Sequence, residues 1–133
     1  ETKSVLLGYD YMGLYSIRSD NNRVMYDIQS YQINNLKIPY LNYSSGTYFG
    51  RISQLLIEEH LQNARLNIVY EGDVSDSIKH MLLEGLGIGF LPESSISEEL
   101  LSGKVKKERS FFNKEKEAKL EMIFYLFFLK HEN

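Results

Sequence analysis

The sequence predicts a single α/β domain with a mainly parallel sheet and helices on both faces. Short apolar runs rich in Ile, Val and Tyr alternate with amphipathic helical stretches between residues 38 and 103. Each helical stretch is long enough to carry the chain back to a parallel neighbouring strand. A chain of 133 residues is also the size of one ordinary domain, so we treat residues 1–133 as one unit.

The first quarter of the chain is mostly extended. Residues 4–17 are apolar and aromatic, and residues 18–23 have the composition of a turn. Residues 24–35 show no clear period, and we predict a loop with one helical turn. Residues 38–43 form a strand, because Pro39 stands near its start, where a missing N–H group matters least.

The middle of the chain predicts two helices between strands. A polar loop at residues 44–47 leads into a helix over 48–61, and a strand covers 66–70. Val74, Ile78, Met81 and Leu82 then draw an apolar stripe down a second helix, and Gly85 suits a left-handed end. Asp73 or Ser75 is the predicted cap of this helix. Residues 88–91 form a buried strand parallel to 66–70.

The remaining elements complete the pattern. A helix covers residues 93–101, with Ser94 or Ser95 as its cap and Ser102-Gly103 as its stop. Residues 104–109 are extended, 110–119 form a charged loop, and 120–130 form a long apolar strand.

Composition excludes several classes of protein. Hydrophobic residues make up 43% and charged residues 25%, as in globular domains, and the net charge of −3 gives no broad attraction to nucleic acid or anionic lipid. The chain has no cysteine, so it has no disulfide and no thiolate metal site. The longest apolar run, residues 122–129, is far shorter than the ~20 residues that span a bilayer. No signal segment opens the sequence, and we expect a cytoplasmic protein without membrane contact.

Two segments resemble the effector-binding region of LysR-type transcriptional regulators. The first is KIPYLNYSSGTYFGRI, residues 37–52, and the second is GLGIGFLPESSISEELLSGKV, residues 85–105. The family often carries a G-x-G-I-x-x-L-P pattern in the second segment, here at Gly85, Gly87, Ile88, Leu91 and Pro92. The first segment, with Asn-Tyr-Ser followed by Tyr-x-Gly-Arg, is most similar to the branch that includes hypochlorite-responsive regulators.

The resemblance implies one lobe of a two-lobed fold like that of periplasmic binding proteins. The chain matches the second regulatory lobe with crossing strands near residues 3–17 and 120–129, and it includes no DNA-binding helices. The family then implies a dimeric, non-catalytic sensor of a small molecule or oxidant that controls a separate helix-turn-helix domain. The helix over 48–61 and the strand over 66–70 resemble the elements that pair with a neighbouring subunit.

The loop Ser44-Ser45-Gly46-Thr47 is the main candidate for effector binding. It follows the carboxyl end of a strand and enters a helix N-terminus, where open α/β sheets place their ligands and where free N–H groups favour an anion. The resemblance implies the same place. Tyr48 or Phe49 would form an aromatic wall. The alternative is a capped helix preceded by a turn, with both aromatic rings in the core.

Val74 and Ser75, at the start of the next helix, would supply the other side of this effector site through their N–H groups. The alternative for this position is an ordinary helix N-cap.

The sequence gives little support for a metal site, a cofactor or catalysis. Asp76, His80 and Glu84 share one helix face, but no second ligand cluster accompanies them, and a solvated face explains their spacing better than a metal does. No nucleotide loop or nucleophile–base set appears, so we predict no cofactor and no enzyme activity. A solute-binding module of a transport or signalling receptor is the alternative function, and a small α/β enzyme is the third.

Self-association is the remaining expectation. The run at residues 122–129 is apolar on both faces and needs cover on both sides. We therefore expect association through the strand 120–129, and the resemblance implies association through residues 48–70; either or both would hold the subunits together.

Overall fold

The computed structural model describes residues 12–19 and 21–108. Within these residues, five strands are named β1 to β5 in chain order: Met12–Ile17, Lys37–Tyr43, Arg65–Gly72, Ile88–Pro92 and Val105–Lys107. The four helices of the same residues, α1 to α4, are Ile28–Ile33, Tyr48–His60, Ser75–Leu83 and Glu93–Leu101. The predicted loop at 110–119, the predicted strand at 120–130 and residues 4–11 lie outside the described part of the chain.

The strands form one open sheet in the order β3-β2-β4-β1-β5. Strand β2 is parallel to both β3 and β4, whereas β1 is antiparallel to β4 and β5. The predicted α/β class with a mainly parallel sheet is therefore confirmed. Strands β3 and β4 are parallel as predicted, but they are not neighbours, because β2 lies between them.

The core lies against the middle of the sheet. Every residue of β1 and of β4 is buried, so both faces of these strands are covered. Helix α2 contributes Ile52 and Leu56 to the core, and α3 contributes Ile78 and Leu82. Both pairs have helical spacing, so each of these helices turns one stripe inward.

Helix α1 is longer than the single turn predicted within residues 24–35. The Asp27 side chain accepts a hydrogen bond from Ser30 N at 3.1 Å, and the ring of Tyr26 packs edge-on against Tyr31. Ile28 N donates to the buried Glu108 carboxylate at 3.3 Å. The last contact joins residues 80 positions apart, so local periodicity gives no sign of it.

The predicted caps of α3 and α4 are wrong. Val74 is the N-cap of α3, because β3 extends to Gly72 and Ser75 is already helical. The Val74 side chain makes no cap bond. Val74 is 58% exposed and so does not belong to the buried stripe. Helix α4 begins at Glu93 with Pro92 as its N-cap, and Ser95 Oγ donates back to Pro92 O at 2.8 Å. Ser94 and Ser95 lie inside the helix and not at its N-cap position, so neither is the cap that the sequence predicted.

The predicted stop of α3 is confirmed. Gly85 has a φ of +82°, in the left-handed region that costs a residue with a Cβ about 1–2 kcal/mol. Its carbonyl accepts a hydrogen bond from the Tyr26 hydroxyl at 2.7 Å. The chain therefore reverses at Gly85 and enters β4 at a fixed point.

Tyr43 couples the end of β2 to β4. Its hydroxyl donates to Phe90 O at 2.7 Å, and the side chain is fully buried. Burial raises the pKa of Tyr43, and the neighbouring Tyr40 raises it further. The folded state therefore favours the neutral phenol.

We expect Tyr43→Phe to lower the free energy of unfolding by about 1–2 kcal/mol at pH 7, because a buried hydrogen bond is lost. A raised folded pKa gives stability that is complete below pH ~10, the pKa of the unfolded side chain, and that is lost as pH rises above it. Urea unfolding between pH 7 and 11 should show a wild-type free energy of unfolding without a contribution from this tyrosine to its slope up to pH ~10, then a fall that approaches about 1.4 kcal/mol per pH unit for each such tyrosine, and a less steep fall in the variant. Tyr31→Phe is the pH 7 control, because the Tyr31 hydroxyl has no hydrogen-bond partner among the described residues. Identical pH profiles for wild type and Tyr43→Phe would contradict this account.

Candidate functional site

The loop from Ser44 to Thr47 lies where the carboxyl ends of β2 and β3 meet. Ser44 N donates to Gly72 O at 2.9 Å, so the loop is tied to the last residue of β3. Because β2 and β3 are parallel and adjacent, Val74 and Ser75 follow at the same edge of the sheet. The structure therefore brings the two predicted halves of the site, at Ser44–Phe49 and at Val74–Ser75, to one edge.

Thr47 closes this loop onto α2. Its Oγ1 accepts a hydrogen bond from Gly50 N at 3.1 Å and donates to Ser44 O at 2.7 Å. A Cβ on residue 50 would lie 2.5 Å from Ser44 O, so the turn needs a glycine there. The Thr47 hydroxyl is thus occupied by capping, and the capped-helix alternative for this residue is confirmed.

The backbone before the cap is different. Ser45 and Gly46 are exposed, and their N–H groups have no hydrogen-bond partner among the described residues. Gly46 has a φ of +85° and open space where a Cβ would be. These two N–H groups, next to the positive end of the α2 dipole, are the donors that an anion would use.

The predicted aromatic residues form a short stack behind the loop. The rings of Tyr48 and Phe49 have centroids 5.0 Å apart, and Phe49 lies 5.5 Å from Tyr43. Burial raises the pKa of Tyr48 to about 12, so its phenol is neutral at physiological pH. Phe49 therefore links the candidate site to the core.

A groove of about 490 Å³ runs beside the loop, between the outer face of α2 and the ends of β2 and β3. We call it the α2 groove. It is lined by Asn42, Tyr43, Ser45, Gly46, Gly50, Arg51, Gln54, Leu55, Glu58 and Glu71. Of the eight predicted site residues, only Ser45 and Gly46 line the groove; Ser44, Thr47, Tyr48, Phe49, Val74 and Ser75 do not.

Sequence reasoning missed the side chains of the groove. Arg51, Gln54, Leu55 and Glu58 share one face of α2 at spacings of three, one and three, which is a signal available from the sequence. Glu71 comes from β3, whose register places it opposite Asn42, and Asn42 Nδ2 donates to Glu71 Oε2 at 3.2 Å. That pairing depends on the sheet and not on spacing along the chain.

Asp76, His80 and Glu84 lie exposed along α3 and its end. In residues 12–19 and 21–108, no group of three or more His, Asp or Glu side chains could hold a metal ion. Within the same residues, no helix is both long and apolar enough to cross a membrane.

The chain belongs to the LysR substrate-binding domain family, whose model matches residues 37–113. The predicted resemblance to LysR-type regulators is thereby confirmed. The receptor alternative is not favoured, because the similar proteins are transcriptional regulators.

One curated relative is the HTH-type transcriptional regulator YjiE of Escherichia coli K12, 34% identical over 67 residues, which cover 50% of this chain and 22% of YjiE. The regulatory domain of the HypT M206Q mutant from Salmonella typhimurium has the same fold, with a TM-score of 0.67 at 20% identity over 76% of this chain and 56% of that one. Full-length HypT, described as a hypochlorite-specific LysR-type transcriptional regulator, has a TM-score of 0.65 at 17% identity over 88% of this chain and 43% of that one. The chain thus spans about a fifth of the curated relative and about half of these solved chains.

We expect Thr47→Ala to lower the free energy of unfolding by about 1 kcal/mol, because it leaves Gly50 N without its acceptor. Thr47→Ser keeps the hydroxyl and should retain most of the stability. Chemical denaturation of the three proteins measures the difference. Equal losses in both variants would show that the methyl group of Thr47, and not its capping hydroxyl, holds the loop.

Proposed function

We propose that this chain is the second lobe of the effector-binding region of a cytoplasmic LysR-type regulator. It binds a small anionic molecule at the edge formed by Ser44–Phe49 and Val74–Ser75, and it catalyses no reaction. The observation that carries this proposal is the pair of N–H groups at Ser45 and Gly46, which have no partner in residues 12–19 and 21–108 and lie beside the start of α2 in a chain of this family. The net charge of −3 favours no direct contact of this chain with nucleic acid.

Regulation by this lobe needs a difference in affinity between two arrangements of the protein. An effector shifts an equilibrium only as far as it binds one state better than the other. A site at the rim of the sheet meets this requirement. An effector bound there contacts the N–H groups of this lobe and also the part of the regulator that closes over the rim, so its affinity differs between the two arrangements. An oxidant is the second form of signal we consider, since full-length HypT is described as hypochlorite-specific.

We also propose that the regulator self-associates through residues 48–70, in the region of α2 and β3. Strand β3 ends the sheet order of the described residues, so one row of its backbone groups has no strand partner there. Leu55, Ile68 and Val69 are 43%, 53% and 48% exposed. Val69 is also the extra residue where the β2–β3 register shifts, so it stands out from the ladder. The other predicted segment, residues 120–129, lies outside the described residues.

The effector proposal is tested with ¹H–¹⁵N spectra of the chain during titration with acetate and benzoate. We expect saturable shifts of the Ser45, Gly46 and Ser75 amide signals, because carboxylates bind free N–H groups at helix starts. Acetamide and benzamide, of the same shapes without charge, should shift them far less. Ser45→Ala keeps the N–H group and should retain binding. Equal shifts with acids and amides, or no shift at this edge, would contradict the proposal.

The association proposal is tested by sedimentation equilibrium. We expect Ile68→Lys to raise the dissociation constant by at least tenfold, because a charge replaces an apolar contact surface. Leu101→Lys is the control, since Leu101 is 89% exposed on α4, away from β3. A wild-type chain that is strictly monomeric would contradict the association proposal. Unchanged association in Ile68→Lys would instead assign the contact to residues 120–129.

A further inference from the structure

The α2 groove is lined by two carboxylates, Glu58 and Glu71, that orient toward neutral amides. Gln54 Nε2 donates to Glu58 Oε2 at 3.1 Å, and Asn42 Nδ2 donates to Glu71 Oε2 at 3.2 Å. Neither glutamate takes part in an ion pair with a described residue. Neutral amides orient the two carboxylates and leave their negative charge in place.

The side-chain amides of Asn42 and Gln54 also carry hydrogen-bond acceptors. An amide that donates through its nitrogen keeps its carbonyl oxygen as an acceptor, so Asn42 and Gln54 add two acceptors beside the glutamates. The groove therefore has two acceptor clusters, one at Asn42–Glu71 and one at Gln54–Glu58. A protonated amine, with three donors and no acceptor, is the group that such a cluster recognises.

Donors lie between and beside these clusters. Arg51 lines the groove one turn before Gln54, and a guanidinium has five N–H donors. Ser45 and Gly46 add their backbone N–H groups at the same end. This combination suits a carboxylate, and Arg51 suits it best because its planar fork can bind both oxygens.

The charges and spacing define the ligand. Two glutamates and one arginine are matched by two ammonium groups and one carboxylate. Arg51 and Glu58 are seven residues apart on α2, which corresponds to about 10 Å along the helix axis. The groove has a volume of about 490 Å³. Tyr43 and Leu55 add apolar surface for a methylene chain.

We propose that the α2 groove binds a basic α-amino acid of the lysine type. Arg51 and the Ser45–Gly46 amides hold its carboxylate, Asn42 and Glu71 hold its α-ammonium, and Gln54 and Glu58 hold its side-chain ammonium. This site is separate from Thr47–Phe49 and Val74–Ser75, and it differs in chemistry from an anion site because it requires cationic groups. It therefore goes beyond the proposed effector edge, although both use the N–H groups of Ser45 and Gly46.

The experiment is calorimetric titration of the chain with L-lysine and three relatives that each lack one charged group. L-Norleucine lacks the side-chain ammonium, 6-aminohexanoate lacks the α-ammonium, and cadaverine lacks the carboxylate. We expect L-lysine to bind and each relative to bind at least about tenfold more weakly, since each loses one charge-assisted contact.

Two variants then assign each contact. Glu58→Gln should weaken L-lysine about tenfold and leave L-norleucine unchanged, whereas Glu71→Gln should weaken both and leave 6-aminohexanoate unchanged. Glu59→Gln removes the same charge from α2 at a residue that does not line the groove, and it should bind L-lysine as the wild type does. Thermal unfolding of each variant confirms that it is folded.

Several results would overturn this assignment. They are no heat with L-lysine at about 10 mM, equal binding of L-norleucine to the wild type, or equal effects of Glu58→Gln and Glu59→Gln. Failure of the effector proposal is a different outcome, because acetate and benzoate shifts at Ser75 do not depend on Glu58 or Glu71. L-Lysine that shifts only the Thr47–Phe49 and Val74–Ser75 amides would refute the groove and support the effector edge.

Discussion

Parallel pairing of β2 with both of its neighbours is the constraint on which the other features depend. Since β2, β3 and β4 run in one direction, their carboxyl ends meet at one edge of the sheet. Helices α2, α3 and α4 start just after these ends, so their free N–H groups lie along the same rim. The hydrogen bond from Ser44 N to Gly72 O fixes the spacing between the first two exits. A ligand that binds the N–H groups at the starts of these three helices therefore lies at this rim.

The sequence is a good guide where local pattern and final packing agree. Helix α2 ends one residue before the predicted limit of 48–61, and α4 covers the predicted residues 93–101. Both helices turn apolar residues inward at helical spacing, so their periodicity states which face is buried. The central strands were predictable from a different local pattern. Apolar runs of this length between turn residues fit a sheet that is covered on both faces.

Prediction failed where distant residues or side-chain geometry decide the structure. Helix α1 depends on the Glu108 carboxylate, which lies 80 residues after Ile28 and therefore has no local signature. The predicted caps of α3 and α4 were wrong because the serines lie inside both helices and not at their N-cap positions. Ser75 is already helical, with Val74 as the N-cap, and Ser95 lies inside α4 and donates to Pro92 O. A sequence shows which residues are capable of capping, but not which bond each one makes.

The same difference between local and long-range features applies to the candidate site. Ser44 to Thr47 could be identified because a polar, glycine-containing loop between a strand and a helix is a local feature. The α2 groove could not, because Arg51, Gln54 and Glu58 have the spacing of any solvated helix face. They become a site only when the β2–β3 register brings Glu71 opposite Asn42, 29 residues away. The long-range half of the groove is thus a property of the sheet.

The groove and the proposed association surface share helix α2, and this sharing has a thermodynamic consequence. Ile52 and Leu56 fix the inner face of the helix in the core, so its outer face, with Leu55, is presented as a rigid unit. A second subunit that covers Leu55 would change the solvation of Glu58, and a cation bound at Glu58 would change the charge that the second subunit meets. Linkage requires these two effects to be equal in free energy. A ligand that strengthens association is bound more tightly by the associated form, and one that weakens association is released by it, so the groove would connect the chemistry of a small molecule to the assembly of the regulator.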